Sequence, residues 1–211
     1  MHVATYYSSV ADANGAQKRG EVTPERITTS DPELLRALAH PARLAIIEHL
    51  AAYGGEITAT EAAEIVGLSP SATSYHLRTL AKVNMIKEAP SRGDGRERVY
   101  SGSAARQVEI SSDPDTTDLA SRIAGEKLLD AVLQRNEERI RRWRASMHEE
   151  SSAWADASVI HEALIMITAP EMQEIGDKLL EVLEPYRRSR RPEPPDDSRL
   201  VAFQIRGIPV R

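Results

Sequence analysis

The stretch that most constrains this chain is ITATEAAEIVGLSPSATSYHLRTLAKVNMI, residues 57–86. Ala62, Ala63, Ile65 and Val66 give a small apolar face to a first short helix, read as starting at Thr60. Gly67 suits the left-handed turn that ends a helix. Ser69 is placed to cap a second helix, with Pro70 at its first position, where a missing N–H costs nothing. In the second helix Leu77, Leu80 and Val83 recur at helical spacing. Two short helices joined by a tight glycine-containing turn make a helix-turn-helix.

The flanking sequence completes the unit. MIKEAPSRGDGRERVYSGS follows, with strands expected at Met85–Glu88 and Glu97–Ser101 and a turn at SRGDGR between them. A hairpin directly after the second helix is the winged-helix arrangement. SDPELLRALAHPARLAIIEHLAAYGG precedes it and predicts two more helices. Ser30, with Glu33 three residues on, reads as the cap of the first. Leu34, Leu35 and Leu38 form its apolar face, Pro41 opens the second, and Gly54-Gly55 stops it.

At 100° per residue, the helix from Pro70 to Asn84 has two sides. Thr73, Leu77 and Leu80 point one way, with His76 beside them. Ser71, Tyr75, Arg78, Thr79 and Lys82 point the other way, with Ser74 on the border. An ordinary solvated face would use similar residues. Here the helix follows a Gly-Leu-Ser turn and precedes a basic hairpin, and that combination favours double-stranded DNA. Arginine pairs bidentately with guanine, and hydroxyls bond phosphates or base edges. The candidate DNA-binding residues are therefore Ser71, Ser74, Tyr75, Arg78, Thr79 and Lys82, with Arg92, Arg96 and Arg98 on the wing. Arg98 alternates with Val99, so a position pointing outward from the strand is also open for it. The chain carries a net charge of −5, but between Leu68 and Arg106 seven cations face three anions. Local charge, not the total, decides phosphate binding.

Composition removes other functions. The chain has no cysteine, hence no disulfide, thiol nucleophile or thiolate metal site. P-loop, G-x-S-x-G, H-E-x-x-H and G-x-G-x-x-G patterns are all missing, so no enzyme and no cofactor is expected. Paired carboxylates such as Glu149-Glu150 and Asp196-Asp197 lie in polar stretches and read as solvated. His148 with Glu149 and His161 with Glu162 are the nearest approach to metal ligands, and no metal is expected there. No stretch approaches the roughly 18 apolar residues of a membrane span, and the start has no apolar core of signal-peptide length. A cytoplasmic protein with no membrane partner is expected.

The remainder divides by pattern. Residues 1–29 are polar, lack periodicity and are expected to form a mobile tail. RQVEISSDP is a further short strand candidate. Residues 113–150 predict a long helix, about Asp115–Met147, with Leu119, Ile123, Leu129, Val132, Leu133, Ile140, Trp143 and Met147 as its apolar residues. It exceeds what a small domain needs, so dimerisation is expected. Residues 151–211 read as a small β-α-β unit. ASVIHEALIMIT is its first strand, TAPEMQEIGDKLLEVLEPY its helix behind a Thr168/Glu171 box, and the alternation of Val201, Phe203 and Ile205 its last strand. The whole is mainly α with β, an α+β chain: a winged helix-turn-helix domain at 30–112, a long dimerisation helix, and the C-terminal β-α-β unit.

These residues resemble the ArsR-type winged helix-turn-helix regulators over about Asp31–Ser103. LLRALAHPARLAIIEHL is similar to that family's opening helices, with Leu38, Pro41 and Arg43 in its pattern. LSPSATSYHLRTLAKVNMI is similar to its recognition helix: Ser69, Ser74, His76, Leu77 and Arg78 fit, and Tyr75 replaces a histidine. The resemblance implies a homodimer that binds a palindromic operator, usually as a repressor. It implies no metal here, because the cysteine pair of the family's founding members is missing. The C-terminal third is similar to an extension of some longer regulators. Two roles stay open for it: stabilising the dimer, or receiving a small-molecule or protein effector. A winged helix used only for protein–protein contact is the alternative reading of the whole.

Overall fold

The computed structural model describes residues 3–7, 25–91, 97–102, 106–110, 118–187, 190–191 and 193–210. Strands β1 (Val3–Tyr7) and β2 (Glu25–Thr29) precede helices α1 (Pro32–Leu38) and α2 (Pro41–Tyr53). Strand β3 (Glu56–Thr58), helices α3 (Ala59–Val66) and α4 (Pro70–Lys82) and strands β4 (Ile86–Ala89) and β5 (Val99–Gly102) follow. Strand β6 (Arg106–Ile110) then leads to the long helix α5 (Leu119–Ser146), the short α6 (Ser152–Ala157) and α7 (Ala169–Leu183). The α+β class and the winged helix-turn-helix are as read from the sequence.

Each helix of the DNA-binding domain starts where its chemistry says. Ser69 Oγ accepts from Ala72 N at 3.3 Å with Pro70 at the first position of α4. Gly67 closes α3 at φ 67°, ψ 32°, in the left-handed region. Two caps differ from the expectation. Asp31, not Ser30, caps α1, accepting from Glu33 N at 2.8 Å. Thr58, not Thr60, caps α3 in a reciprocal box with Glu61. Thr58 also ends β3, whose three residues pair antiparallel with β5, while β4 pairs with the other edge of β5. The wing is thus a three-stranded sheet, order β3-β5-β4.

A single apolar core holds this domain. Leu35 and Leu38 of α1, Leu44, Ile46 and Leu50 of α2, Ile57, Leu77 and Leu80 of α4, and Ile86 and Tyr100 of the wing are buried together. Arg43 is buried with them. Its Nη2 donates to Arg36 O at 3.0 Å and its Nε to Ala37 O. These are carbonyls at the end of α1 that have no partner within the helix, so one guanidinium fastens α2 to the end of α1.

The N-terminal region departs from the expected mobile tail. Residues 3–7 and 25–29 are strands of a second sheet, order β1-β6-β2, with β6 antiparallel to β1 and parallel to β2. Their partner lies some eighty residues away or more, which local periodicity does not reveal. The rest of 1–29 falls outside the described residues.

Helix α5 spans 28 residues, about 42 Å at 1.5 Å per residue. Its buried residues are Ser121, Ala124, Leu128 and Ala131, one stripe spaced i, i+3, i+7, i+10 that packs on α1. The larger residues expected to face inward lie elsewhere. Leu119 and Ile123 are exposed, and Leu129, Val132, Leu133, Ile140 and Trp143 are half-buried. Small residues let the two helices approach closely, whereas the sequence reading weighted large ones. Glu48 of α2 joins the same helix. Its Oε2 accepts from Arg135 Nε at 2.7 Å and Arg139 Nη2 at 2.8 Å.

In the C-terminal third, α7 forms behind the Thr168/Glu171 box as expected. The two strands of the expected β-α-β unit do not form. Residues 159–167 and 199–210 are free of helix and strand, and neither enters a ladder. A strand needs a partner for its backbone, and among the described residues neither segment has one in a ladder.

Candidate nucleic-acid interface

The amphipathic split of α4 is sharp. Thr73, His76, Leu77 and Leu80 are buried. Ser71, Tyr75, Arg78 and Lys82 are exposed, and Ser74 and Thr79 half-buried, all on the far side. Tyr75 is 58% exposed, high for a ring that could have packed. Thr73 is buried because its hydroxyl is spent within the helix, donating to Ser69 O at 3.0 Å.

The outward residues are partly pre-oriented. Arg78 Nη1 donates to Ser74 Oγ at 3.2 Å, which holds the guanidinium along the helix. Thr79 Oγ1 donates to Tyr75 O at 2.9 Å, which commits its hydroxyl to the helix backbone. Lys82 is not a free cation: its Nζ lies 2.6 Å from Glu33 Oε1 of α1, and that carboxylate raises its pKa. Both partners are well exposed, so the pair is screened and weak. A phosphate could displace the carboxylate at little cost.

Of the wing arginines, Arg98 is exposed and 3.5 Å from Glu88 Oε1 across the sheet. It points outward from the strand, and its neighbour Val99 is buried. Arg92 and Arg96 lie outside the described residues. The base of the wing is tied to α3 by Thr60 Oγ1 donating to Glu97 Oε1 at 3.1 Å.

Beneath this face sits a histidine cluster that the sequence reading missed. His40, cap of α2, accepts at Nδ1 from Ala42 N at 3.1 Å. Its ring lies 4.4 Å from that of His76, whose other neighbour is the Tyr75 ring at 5.7 Å. Burial lowers the pKa of both histidines. Next in size for His76 come His40 and Arg43, and for His40, Arg43. Both are therefore favoured in the neutral form, and His76 Nδ1 is buried without a hydrogen-bond partner. The signal available in the sequence was His40 before Pro41, a cap position that an imidazole can fill.

His148 and Glu149 are neighbours, Nε2 to Oε1 at 3.7 Å, and His161 and Glu162 are exposed. Among the described residues no three His, Asp or Glu side chains gather as metal ligands. No described helix is long and apolar enough to cross a membrane.

A family model described as a helix-turn-helix domain matches residues 38–89, from the last residue of α1 to the last residue of β4. No curated protein matches the chain. Among solved structures, NolR from Sinorhizobium fredii is 29% identical, covering 46% of this chain and 79% of its own, with a TM-score of 0.29. HlyU from Vibrio cholerae is 27% identical over 36% of this chain and 74% of its own, with a TM-score of 0.29. The transcriptional regulator Tm0710 from Thermotoga maritima is 12% identical over 72% and 88%, with a TM-score of 0.28. A helix-turn-helix domain at this place in the chain supports a DNA-binding regulator.

Proposed function

We propose that the protein is a sequence-specific transcriptional regulator of the ArsR type, a homodimer that represses by binding a palindromic operator. The observation that carries this reading is the outward face of α4. Ser71, Tyr75 and Arg78 stand exposed on one side of a helix whose other side is locked into the core. In the groove, Arg78 reads guanine, Ser71, Ser74, Tyr75 and Thr79 bond phosphates or base edges, and Lys82 exchanges Glu33 for a phosphate. The wing arginines Arg92, Arg96 and Arg98 follow the backbone or the adjacent minor groove. None of these roles is enzymatic, and none requires a cofactor or metal.

A two-fold dimer presents two α4 helices to half-sites one helical turn apart, or a multiple of it. The half-buried and exposed apolar residues of α5, with α1, are the dimer surface in this reading. Any effector, whether a small molecule or a protein, acts through the C-terminal third. The deciding measurement is fluorescence anisotropy with duplex DNA at two salt concentrations. Phosphate contacts give a steep salt slope, and a selected operator binds at least about 10³-fold tighter than random duplex. Binding that is flat in salt, or absent, replaces this reading with a protein–protein module.

A further inference from the structure

The C-terminal third leaves open a surface that a lone chain would hide. Sixteen of the exposed large apolar side chains lie beyond residue 150. Leu164 is 80% exposed, Met166 100% and Phe203 64%. Twelve of them lie within residues 159–167 and 199–210; at about 125 Å² open on each, the two segments together expose roughly 1,500 Å², against about 300–600 Å² for the largest apolar patch usual on a monomer. An obligate homodimer buries about 1,000–2,500 Å² on each partner, in apolar interfaces. The open area matches one half of such an interface.

Two further observations specify its kind. Residues 159–167, VIHEALIMI, contain no proline or glycine and are dominated by β-formers and other apolar residues, yet their backbone enters no ladder. Residues 199–210 are likewise unpaired, but they are anchored. Arg199 bonds both oxygens of Glu150 at 2.6 and 3.0 Å and lies over the Trp154 ring at 4.9 Å. Gln204 Nε2 donates to Asn136 O at 3.4 Å, and Arg206 reaches Glu137 at 3.5 Å. The segment is fixed beside α5 and α6 with its apolar side chains exposed and its backbone in no ladder.

We propose that the C-terminal third is an intermolecular β interface. The same third of a second copy of this chain covers residues 159–167 and 199–210 and supplies their backbone partners. An uncovered apolar edge is an aggregation hazard, so its partner must be present in equal amount at all times. A second copy meets that condition. It also carries both kinds of segment, so one two-fold operation satisfies all four at once. The inference rests on the dimer reading above and adds to the α5 surface a second contact, in the C-terminal third, with its bonding.

The test is hydrogen exchange by mass spectrometry on the full chain, with sedimentation on the same samples. Expected are a dimer at micromolar concentration and amides of 160–166 and 200–208 slowed at least about tenfold, with protection lost on dilution into monomer. The variant Leu164→Asp/Phe203→Asp should weaken dimerisation at least about 100-fold and release both segments, with helix content by circular dichroism kept. A wild-type dimer whose two segments exchange freely overturns this interface and leaves the dimer standing. A wild-type monomer at micromolar concentration overturns both, and salt-dependent operator binding then judges the DNA reading separately. Protection that persists in the monomer shows pairing within one chain and also overturns the proposal.

Discussion

Helices α3 and α7 begin in the same way and end in different circumstances. Each opens with Thr-x-x-Glu, and in each the hydroxyl and the carboxylate close a reciprocal box. Yet α3 sinks Ala62 and Ala63 into a core, whereas α7 buries nothing. The contrast extends to their regions. Buried side chains crowd between Thr29 and Ala131, and no described residue beyond Ala131 is buried. Local rules start a helix, but only neighbours give it a core, and most helical stability comes from that packing.

The comparison breaks first at the core. Leu80→Ala, in a fully buried side chain, should cost about 2–5 kcal/mol in denaturant unfolding, at any protein concentration. Leu164→Ala should cost nothing in dilute monomer. A loss of similar size there would show a core where none is described. Next comes the recognition face. Arg78→Ala should weaken operator binding by about 1–3 kcal/mol and relax one base position, read by anisotropy against a panel of single-base operator variants. Arg96→Ala should weaken binding to every sequence and flatten the salt slope by about one.

The two capping boxes sharpen the contrast. Thr58→Ala should cost about 1 kcal/mol of global stability. Thr168→Ala should leave the unfolding midpoint of the DNA-binding domain in place and only reduce helix content in α7, seen by NMR shifts. pH gives a smaller effect. His40 and His76 have folded pKa values below the ordinary 6.5, so the unfolded state takes up protons first. Their contribution is intact above pH 6.5 and fades as pH falls from there through the folded values. Thermal melts from pH 7.5 to 5.5 should show a steeper loss for wild type than for His76→Gln. Smallest of all is Lys82→Ala. Its pair with Glu33 is exposed and screened, so denaturant unfolding should show no change in stability, while the salt slope of DNA binding still drops.

What the sequence made legible follows the same division. In the helix-turn-helix, Ser69, Pro70, Gly67 and the Leu77/Leu80 spacing all act within a few residues, and burial agrees with each of them. The inward and outward sides of α4 could therefore be read off a helical wheel. The missed features depend on distant partners. Strands β1 and β2 pair only through β6, and β3 is three residues held by β5. The seam of α5 hides in Ser121, Ala124 and Ala131, residues too small to stand out as apolar. His40 and His76 meet across two helices. The expected C-terminal strands have the right composition and lack only a neighbour.

Glu48 gives α5 the mechanics of a cantilever. The root of the beam is clamped, by the Ser121–Ala131 seam on α1 and by the carboxylate that holds Arg135 and Arg139. The remaining turns, to Ser146, project about 10 Å beyond Arg139. Force applied at the far end is felt at the clamp as torque, and the clamp stands on α1 and α2, which pack against α4. Cutting the pin with Glu48→Gln would soften the beam at its root without touching either end.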